Sequence, residues 1–143
     1  MKIKTKKILV PLDDSKNSIR GLDMAIHIAR QSHGTITALT VKAVPGLYTL
    51  HPMGLLDFTS MTKVKKLLND AKVRAAKKGI QLTTKALDGD PGSDIERFAN
   101  NKRNRIDLVV IGARGRSSVK EIFLGSVSNY VLHKSKKPVL IVK

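Results

Sequence analysis

The sequence predicts an α/β fold: a single doubly wound, five-stranded parallel sheet with helices on both faces. Short apolar runs alternate along the chain with segments in which apolar residues recur at helical spacing. Strands joined by helical crossovers form parallel sheets with right-handed connections. The length of 143 residues is the usual size of one domain with a full core, so we expect residues 1–143 to form one domain.

The first 44 residues predict a strand, a helix and a second strand. Residues 6–12 (KKILVPL) form a continuous apolar run after charges, as in a strand buried on both faces of a parallel sheet. Residues 13–15 (DDS) supply turn and helix-cap chemistry, and apolar residues then repeat at helical spacing until Gly34. Residues 35–44 alternate and are rich in Thr, Val and Ile, which predicts strand two.

The middle of the chain predicts a long loop, a helix and a third strand. Residues 45–60 contain two Pro, two Gly and several apolar side chains, which is typical of a loop or lid. An apolar stripe over residues 64–75 predicts a helix with a Lys-rich outer face, and Gly79 is a suitable stop. Residues 80–87 are predicted to be strand three.

The last third predicts two further helices and two further strands. Asp90-Pro91 has the pattern of an N-cap followed by the first helical residue. Residues 106–111 (IDLVVI) form the most hydrophobic strand, expected in the middle of the sheet. A final helix is predicted over residues 126–134 and a final strand over residues 138–142 (PVLIV).

Composition excludes several classes of protein. The chain has no Cys, which excludes disulfides, thiolate metal sites and cysteine nucleophiles. No apolar run approaches the roughly 18 residues of a membrane span, and the Lys-rich first ten residues are not followed by a secretory apolar segment. We therefore expect a cytoplasmic protein without a membrane partner.

The net charge of +16 predicts attraction to polyanions. The charges are scattered, and five aromatic residues provide few platforms for stacking bases. Nonspecific binding of nucleic acid at low salt is therefore expected. A dedicated nucleic-acid or other polyanion binder that uses the Lys-rich helix 63–78 is an alternative function.

The spacing Gly-x2-Gly-x9-Gly-Ser predicts a phosphate site. Gly112, Gly115 and Gly125-Ser126 follow the most hydrophobic strand, and open parallel sheets bind ligands at the carboxyl ends of their strands. Glycine lets backbone N–H groups approach phosphate oxygens, and a helix that begins at Gly125-Ser126 favours an anion. The Ser126 hydroxyl can donate one more hydrogen bond. Arg114 and Arg116 add positive charge.

Asp13, at the end of strand one, has two candidate roles. Its carboxylate can accept hydrogen bonds from ribose hydroxyls or hold a phosphate-bound Mg²⁺. The simpler alternative is that Asp13 caps the helix that follows. For the glycines, the simpler alternative is that Gly112 ends a strand and Gly125 begins a helix.

Other nucleotide and metal motifs are absent from the sequence. It contains no Gly-x4-Gly-Lys-Ser/Thr, and no Gly-x-Gly-x2-Gly follows strand one. The four histidines show no metal-ligand spacing. Asp14 adds a second carboxylate beside Asp13, which can either repel phosphate or add metal affinity, so metal use stays open. No residue is nominated as a catalytic base, so we expect at most a slow ATPase.

The chain resembles the universal stress proteins, in particular their ATP-binding branch, which carries the Gly-x2-Gly-x9-Gly-Ser/Thr motif. The resemblance covers nearly the whole length. The chain departs from the family pattern in its net charge and at Asp13-Asp14-Ser15, where many members have Asp-Gly-Ser. The segments that carry it are residues 7–13 (KILVPLD), 89–91 (GDP), 107–112 (DLVVIG), 124–128 (LGSVS) and 138–142 (PVLIV).

This resemblance implies a Rossmann-like fold of the adenine nucleotide alpha hydrolase type and a stress-response module that binds ATP, ADP, AMP or cyclic AMP, with or without Mg²⁺. It also implies a homodimer in which the strand Pro138–Val142 pairs with its copy, and a bare apolar edge strand needs such a partner. Val41 would contact adenine through its backbone. The remaining implied contacts, from the adenosine end to the phosphates, are Pro11, Leu12, Asp13, Ile111, Gly112, Arg114, Gly115, Gly125, Ser126 and Val127.

Overall fold

The structure, a computed structural model, describes residues 5–43, 58–115 and 124–143, with the side chains of residues 58–60 excepted. The predicted loop over residues 45–57 lies outside the described residues. So does Arg116.

Five parallel strands form one sheet in the order β3-β2-β1-β4-β5, which confirms the predicted fold class. The most hydrophobic strand, β4, has a neighbour on each side but is the second strand from the edge. The middle strand is β1, so the predicted position of β4 is wrong by one strand. The observed bounds differ from the predicted ones by at most two residues at each end. They are β1 Lys7–Pro11, β2 Thr35–Ala43, β3 Leu82–Gly89, β4 Leu108–Gly112 and β5 Val139–Val142.

Four α-helices and one 3₁₀ turn connect these strands. The helix predicted over residues 64–75 starts earlier, at Phe58, so the last three residues of the predicted loop are helical. The last helix has the predicted bounds. The helices are α1 Lys16–Ser32, α2 Phe58–Ala76, α3 Pro91–Asn100 and α4 Ser126–Lys134, and the 3₁₀ turn is Lys102–Asn104.

The central strands β1, β2 and β4 are buried on both faces, which explains their continuous apolar runs, whereas the edge strands β3 and β5 are largely exposed or half-buried. Ile8 and Val10 pack into a core with α1 and α2. Leu9, between them, faces the opposite core with α3 and α4. Side chains alternate between the two faces of a strand, and helices cover both faces of β1, so all three side chains are fully buried.

Asp90 caps α3, as predicted, with Pro91 as the first helical residue. One carboxylate oxygen, Oδ2, accepts hydrogen bonds from the backbone nitrogen of Ser93 at 2.9 Å and from its hydroxyl at 2.7 Å. These bonds favour the ionised form, so they lower the pKa of Asp90. The cap fixes where α3 begins, directly after β3.

The first turn of α1 lies against the end of β4, and glycine at position 112 makes this approach possible. A Cβ on Gly112 would lie 2.7 Å from the carbonyl carbon of Asn17 and 2.8 Å from the backbone nitrogen of Ser18. Those atoms belong to the backbone and cannot move aside cheaply. On the helix side, Gly21 faces Gly112, and a Cβ there would lie 3.5 Å from the Gly112 nitrogen, an ordinary contact distance.

Two substitutions at this contact should therefore have different effects on stability. Gly112→Ala should lower the free energy of unfolding by about 1–3 kcal/mol, the usual cost of overpacking. Gly21→Ala is the matched control, because it adds the same methyl group to the same contact at an acceptable distance and places a better helix former in α1. Urea denaturation of both variants checks this. Equal midpoints for wild type and Gly112→Ala would show that the helix is not held against this glycine.

Candidate functional site

A cavity of about 220 Å³ lies at the carboxyl ends of β1 and β4. From β1 the chain adds β2 and then β3 on one side of β1. It then adds β4 and β5 on the other side of β1. The strand order therefore reverses between β1 and β4. Open parallel α/β sheets bind ligands in the crevice at such a reversal.

All eleven residues predicted for the site line this one cavity. Five residues that were not predicted line it as well: Ser18, Leu39, Pro91, Ile95 and Ser128. The predicted set, now found together, is Pro11, Leu12, Asp13, Val41, Ile111, Gly112, Arg114, Gly115, Gly125, Ser126 and Val127.

One half of the cavity is apolar. Its walls come from three elements: Leu39 and Val41 on β2, Ile111 on β4, and Pro91 with Ile95 at the start of α3. The capped start of α3 brings the last two residues to the cavity. Apolar walls with a few polar groups are typical of small-molecule sites, and this half suits a flat ring system.

The backbone of Val41 faces the cavity side of β2, where no strand of the described residues lies beside it. β1 ends where Pro11 pairs with Leu39, and the Leu12 nitrogen donates to the Leu39 oxygen at 2.9 Å. Peptide groups of a parallel strand point alternately to its two neighbours, so the N–H and C=O of Val41 point the same way as those of Leu39. β2 continues to Ala43, beyond the end of β1. Val41 therefore presents one donor and one acceptor to the crevice.

The other half of the cavity is the amino end of α4. Gly125 occupies the N-cap position, and no side chain of the described residues caps it. In contrast, Ser15 caps α1 and Asp90 caps α3. The first N–H groups of a helix need a partner and carry the positive end of the helix dipole, so this end is suited to an anion.

Ser128 holds the start of α4 in place. Its hydroxyl, buried in the third position of the helix, lies 2.7 Å from the carbonyl oxygen of Ala113 and 3.0 Å from that of Gly125. The Gly125 nitrogen donates to the same Ala113 oxygen at 2.8 Å. The end of β4 and the start of α4 are thus tied together at one carbonyl group.

Asp13 lies in the corner beside Gly115. A Cβ on Gly115 would lie 2.5 Å from Oδ2 of Asp13, so the absence of a side chain there gives the carboxylate its place. The other oxygen, Oδ1, accepts from the backbone nitrogen of Ser15 at 3.0 Å. The interpretation of Asp13 as the helix cap is wrong. Ser15 is the cap, and its hydroxyl accepts from the Ser18 nitrogen at 3.1 Å.

The three glycines of the motif have different structural roles. Gly112 is required by the packing of α1, whatever the ligand. Gly115 makes room for Asp13, and Gly125 opens α4. A Cβ on Gly125 would lie 3.4 Å from the Cα atom of Arg114, a distance that a side chain tolerates.

Two serines of the site were missed by sequence reasoning, although a signal for them exists. Ser18 and Ser128 both stand three residues after an N-cap, at Ser15 and Gly125. A hydroxyl at that position can bond back to the cap residue, and Ser18 does so, donating to the Ser15 oxygen at 3.0 Å. Both serines are buried at the cavity wall.

The described ranges contain neither a candidate metal cluster nor a helix that could span a membrane. Within residues 5–43, 58–115 and 124–143, no three His, Asp or Glu side chains come together as a set that could hold a metal ion. Among the helices in the same ranges, none has both the length and the apolar character that a membrane crossing requires.

The family model of the universal stress proteins matches residues 4–143 of this chain. The chain belongs to the universal stress protein family. Universal stress protein YxiE from Bacillus subtilis (strain 168) is 34% identical to it, over 96% of this chain and 98% of that protein.

Solved structures of universal stress proteins share the fold. The universal stress protein UspA from Lactobacillus plantarum superposes with a TM-score of 0.86 at 26% identity, covering 98% of this chain and 99% of that one. A universal stress protein solved in complex with cAMP superposes with a TM-score of 0.73, also at 26% identity, covering 96% and 97%.

In this universal stress protein the departure at Asp14 has a structural consequence. Asp14 has φ = 65°, in the left-handed region that glycine adopts without cost. Asp tolerates this region better than most residues with a Cβ. A glycine at this position would adopt the same backbone conformation without strain, and Asp14 adds an exposed carboxylate next to Asp13.

Proposed function

We propose that this protein binds an adenine nucleotide, ATP or a related one, in the cavity at the ends of β1 and β4, as a module of the stress response. The observation that carries the proposal is the division of this cavity. An apolar slot with the peptide groups of Val41 at its edge joins the amino end of α4, which no side chain of the described residues caps. The universal stress protein solved with cAMP supports the same ligand class.

The adenine ring would lie in the apolar half of the cavity. Its amino group donates and its ring nitrogens accept hydrogen bonds. The peptide group of Val41 offers one partner of each kind, and the side chains of Ile95 and Ile111 supply apolar surface around the ring.

The ribose and phosphates would follow toward α4. The Asp13 carboxylate is positioned to accept hydrogen bonds from the ribose hydroxyls or to meet a Mg²⁺ carried by the phosphates. Phosphate oxygens would accept from the N–H groups at the start of α4 and from the Ser126 hydroxyl. The cavity volume of about 220 Å³ is below the roughly 300–1,000 Å³ of pockets that enclose a whole ligand. The phosphates would therefore contact the start of α4 on one side and be open to solvent on the other, near Arg114.

We propose binding and not rapid turnover. Among the described residues that line the cavity, Asp13 is the one carboxylate, and no histidine is among them. Asp13 already accepts a hydrogen bond from Ser15. A water attacking the terminal phosphate has no further carboxylate or imidazole in this lining to orient it.

Two substitutions of Gly125 should distinguish the effect of negative charge on ATP affinity from the effect of side-chain shape, at the place where the phosphates would bind. Asp and Asn are both good N-caps and have nearly the same volume, so Gly125→Asp and Gly125→Asn should both fold well. The Asp variant places a negative charge where phosphate would bind. Its ATP affinity should fall roughly 10-fold or more below that of the Asn variant, more than 1.4 kcal/mol of binding free energy.

Calorimetry with ATP, AMP and cAMP measures this difference, and thermal unfolding of each variant is the control for folding. ATP binding of equal strength by the Asp, Asn and wild-type proteins would show that the amino end of α4 does not receive the phosphates.

We further propose that the protein forms a homodimer through β5. β5 lies at the end of the sheet, with β4 on one side. The Val142 oxygen accepts from the Ala113 nitrogen and the Pro138 oxygen from the Val109 nitrogen. By alternation, the peptide groups of Val139 and Ile141 point away from β4. An apolar edge of this kind invites a second copy of the strand.

Leu140→Lys should weaken this dimer. Leu140 is 36% exposed on β5, and a charged side chain on an edge strand opposes pairing. Analytical ultracentrifugation should find wild type as a dimer and the variant shifted to monomer by at least roughly 10-fold in dissociation constant, about 1.4 kcal/mol. Leu132→Lys on the outside of α4, similarly exposed at 39%, is the matched control. A monomeric wild type would contradict the proposal.

A further inference from the structure

A second cavity, of about 440 Å³, lies between α1 and α2, away from the nucleotide cavity, and its rim is basic. Ile26 lies among its lining residues and is buried. We call this cavity the basic groove and define it by its charged and imidazole side chains, which are Asp23, His27, Arg30, Arg74, Lys77 and Lys78.

Half of the net charge of the protein lies on α1, on α2 and on the two lysines that follow α2. Residues 16–32 and 58–78 together carry a net charge of +8 out of +16. The Lys and Arg side chains described there are exposed. The scattered charge seen in the sequence is thus concentrated by the fold on one outer face.

The single acidic residue of the groove is already engaged. Asp23 accepts two hydrogen bonds from Arg74, at 2.6 Å from Nε and 2.8 Å from Nη2. This fork-shaped contact ties α2 to α1 and raises the pKa of Arg74, so the guanidinium stays charged. Among the described residues, Arg30, Lys77 and Lys78 form no ion pair with a carboxylate.

Helix stability does not account for all of these charges. Cations near the end of a helix are favourable, which can explain Arg30, Arg74, Lys77 and Lys78. Lys16 is different because it is the first residue of α1, where a cation opposes the helix dipole. The first turn of α1 contains no acidic residue, and Asp13 and Asp14 directly precede it. Arg20 extends the same exposed row.

The row of charges on α1 is long enough to contact several phosphates of one extended polyanion. Lys16, Arg20, His27 and Arg30 recur at spacings of three and four residues around Asp23, on one side of the helix. Fourteen residues of helix span about 21 Å, the length of about six base pairs of duplex DNA. No aromatic side chain lines the groove among the described residues, so it offers nothing for unstacked bases.

We propose that the basic groove and the row of charges on α1 bind the phosphate backbone of duplex DNA, without reading its sequence. Backbone contacts by Lys and Arg position a protein on a duplex but carry no base information. The groove itself is separate from the proposed nucleotide cavity, since the two share no lining residue, whereas the row on α1 begins at Lys16, near Ser18 of that cavity.

The test compares two triple variants that remove the same charge. Arg30→Gln, Lys77→Gln and Lys78→Gln alter the groove. Lys102→Gln, Arg103→Gln and Lys136→Gln are the matched control, because these side chains are equally exposed but follow α3 and α4. The probe is a fluorescent 20-base-pair DNA duplex of mixed sequence, and anisotropy gives its affinity between 50 and 200 mM salt.

The groove variant should bind the duplex at least about 10-fold more weakly than wild type at 50 mM salt, and the slope of log affinity against log salt should be shallower by about 3. The control triple should change affinity much less. Equal losses in the two triples would overturn the proposal, since the duplex would then respond to overall charge. Tighter binding of single-stranded DNA of the same length would also overturn it.

Two further measurements do not depend on the variants. Excess AMP at constant ionic strength should leave the duplex bound, and displacement would place the DNA in the nucleotide cavity and contradict the proposal. Duplex added to ¹⁵N-labelled wild-type protein should shift amide signals of residues 16–32 and 72–78. Shifts concentrated instead around Gly115 and residues 125–128 would refute the groove as the site, while leaving nucleotide binding open.

Discussion

The close packing of α1 against the end of β4 is the constraint on which the site depends. The backbone of Asn17 and Ser18 leaves no space for a side chain on Gly112. This contact brings the first turn of α1 beside the loop that follows β4. Asp13 and Ser15 consequently meet Gly115 and Arg114, which are about a hundred residues away in the sequence. If α1 lay farther from β4, Asp13 and Ser15 would no longer contact Gly115 and Arg114, and the polar corner of the cavity would be lost.

Two simple features of the backbone then divide the cavity by chemistry. β2 continues past the end of β1, which leaves the peptide groups of Val41 facing the crevice. α4 starts at a glycine without a side-chain cap. One end therefore offers directional hydrogen bonds beside apolar surface, and the other offers N–H groups and a helix dipole. A ligand that is apolar and hydrogen-bonding at one end and anionic at the other fits both ends, and an adenine nucleotide has that character.

Much of this arrangement could be predicted from the sequence, because alternating apolar runs and a glycine spacing are local signals. The strand order places all eleven predicted residues at one cavity. What could not be predicted depends on contacts between distant elements. The wall formed by Pro91 and Ile95 requires knowing where α3 packs. The packing role of Gly112 requires knowing how closely α1 approaches. The role of Asp13, as helix cap or as ligand contact, could not be decided from the sequence because Asp and Ser are comparably good caps. Only the geometry selects Ser15 as the cap.

The same fold concentrates charge on the face opposite α3 and α4, so the nucleotide cavity and the basic groove occupy separate parts of the surface. Nucleotide binding in the cavity at the ends of β1 and β4 can be tested by titrating ¹⁵N-labelled protein with ATP and following the amide chemical shifts. We expect the largest shifts at Val41, at Gly115 and at the first residues of α4, saturating together. A saturable ATP interaction that leaves these amides unchanged, or the absence of any saturable shift at millimolar ATP, would contradict it.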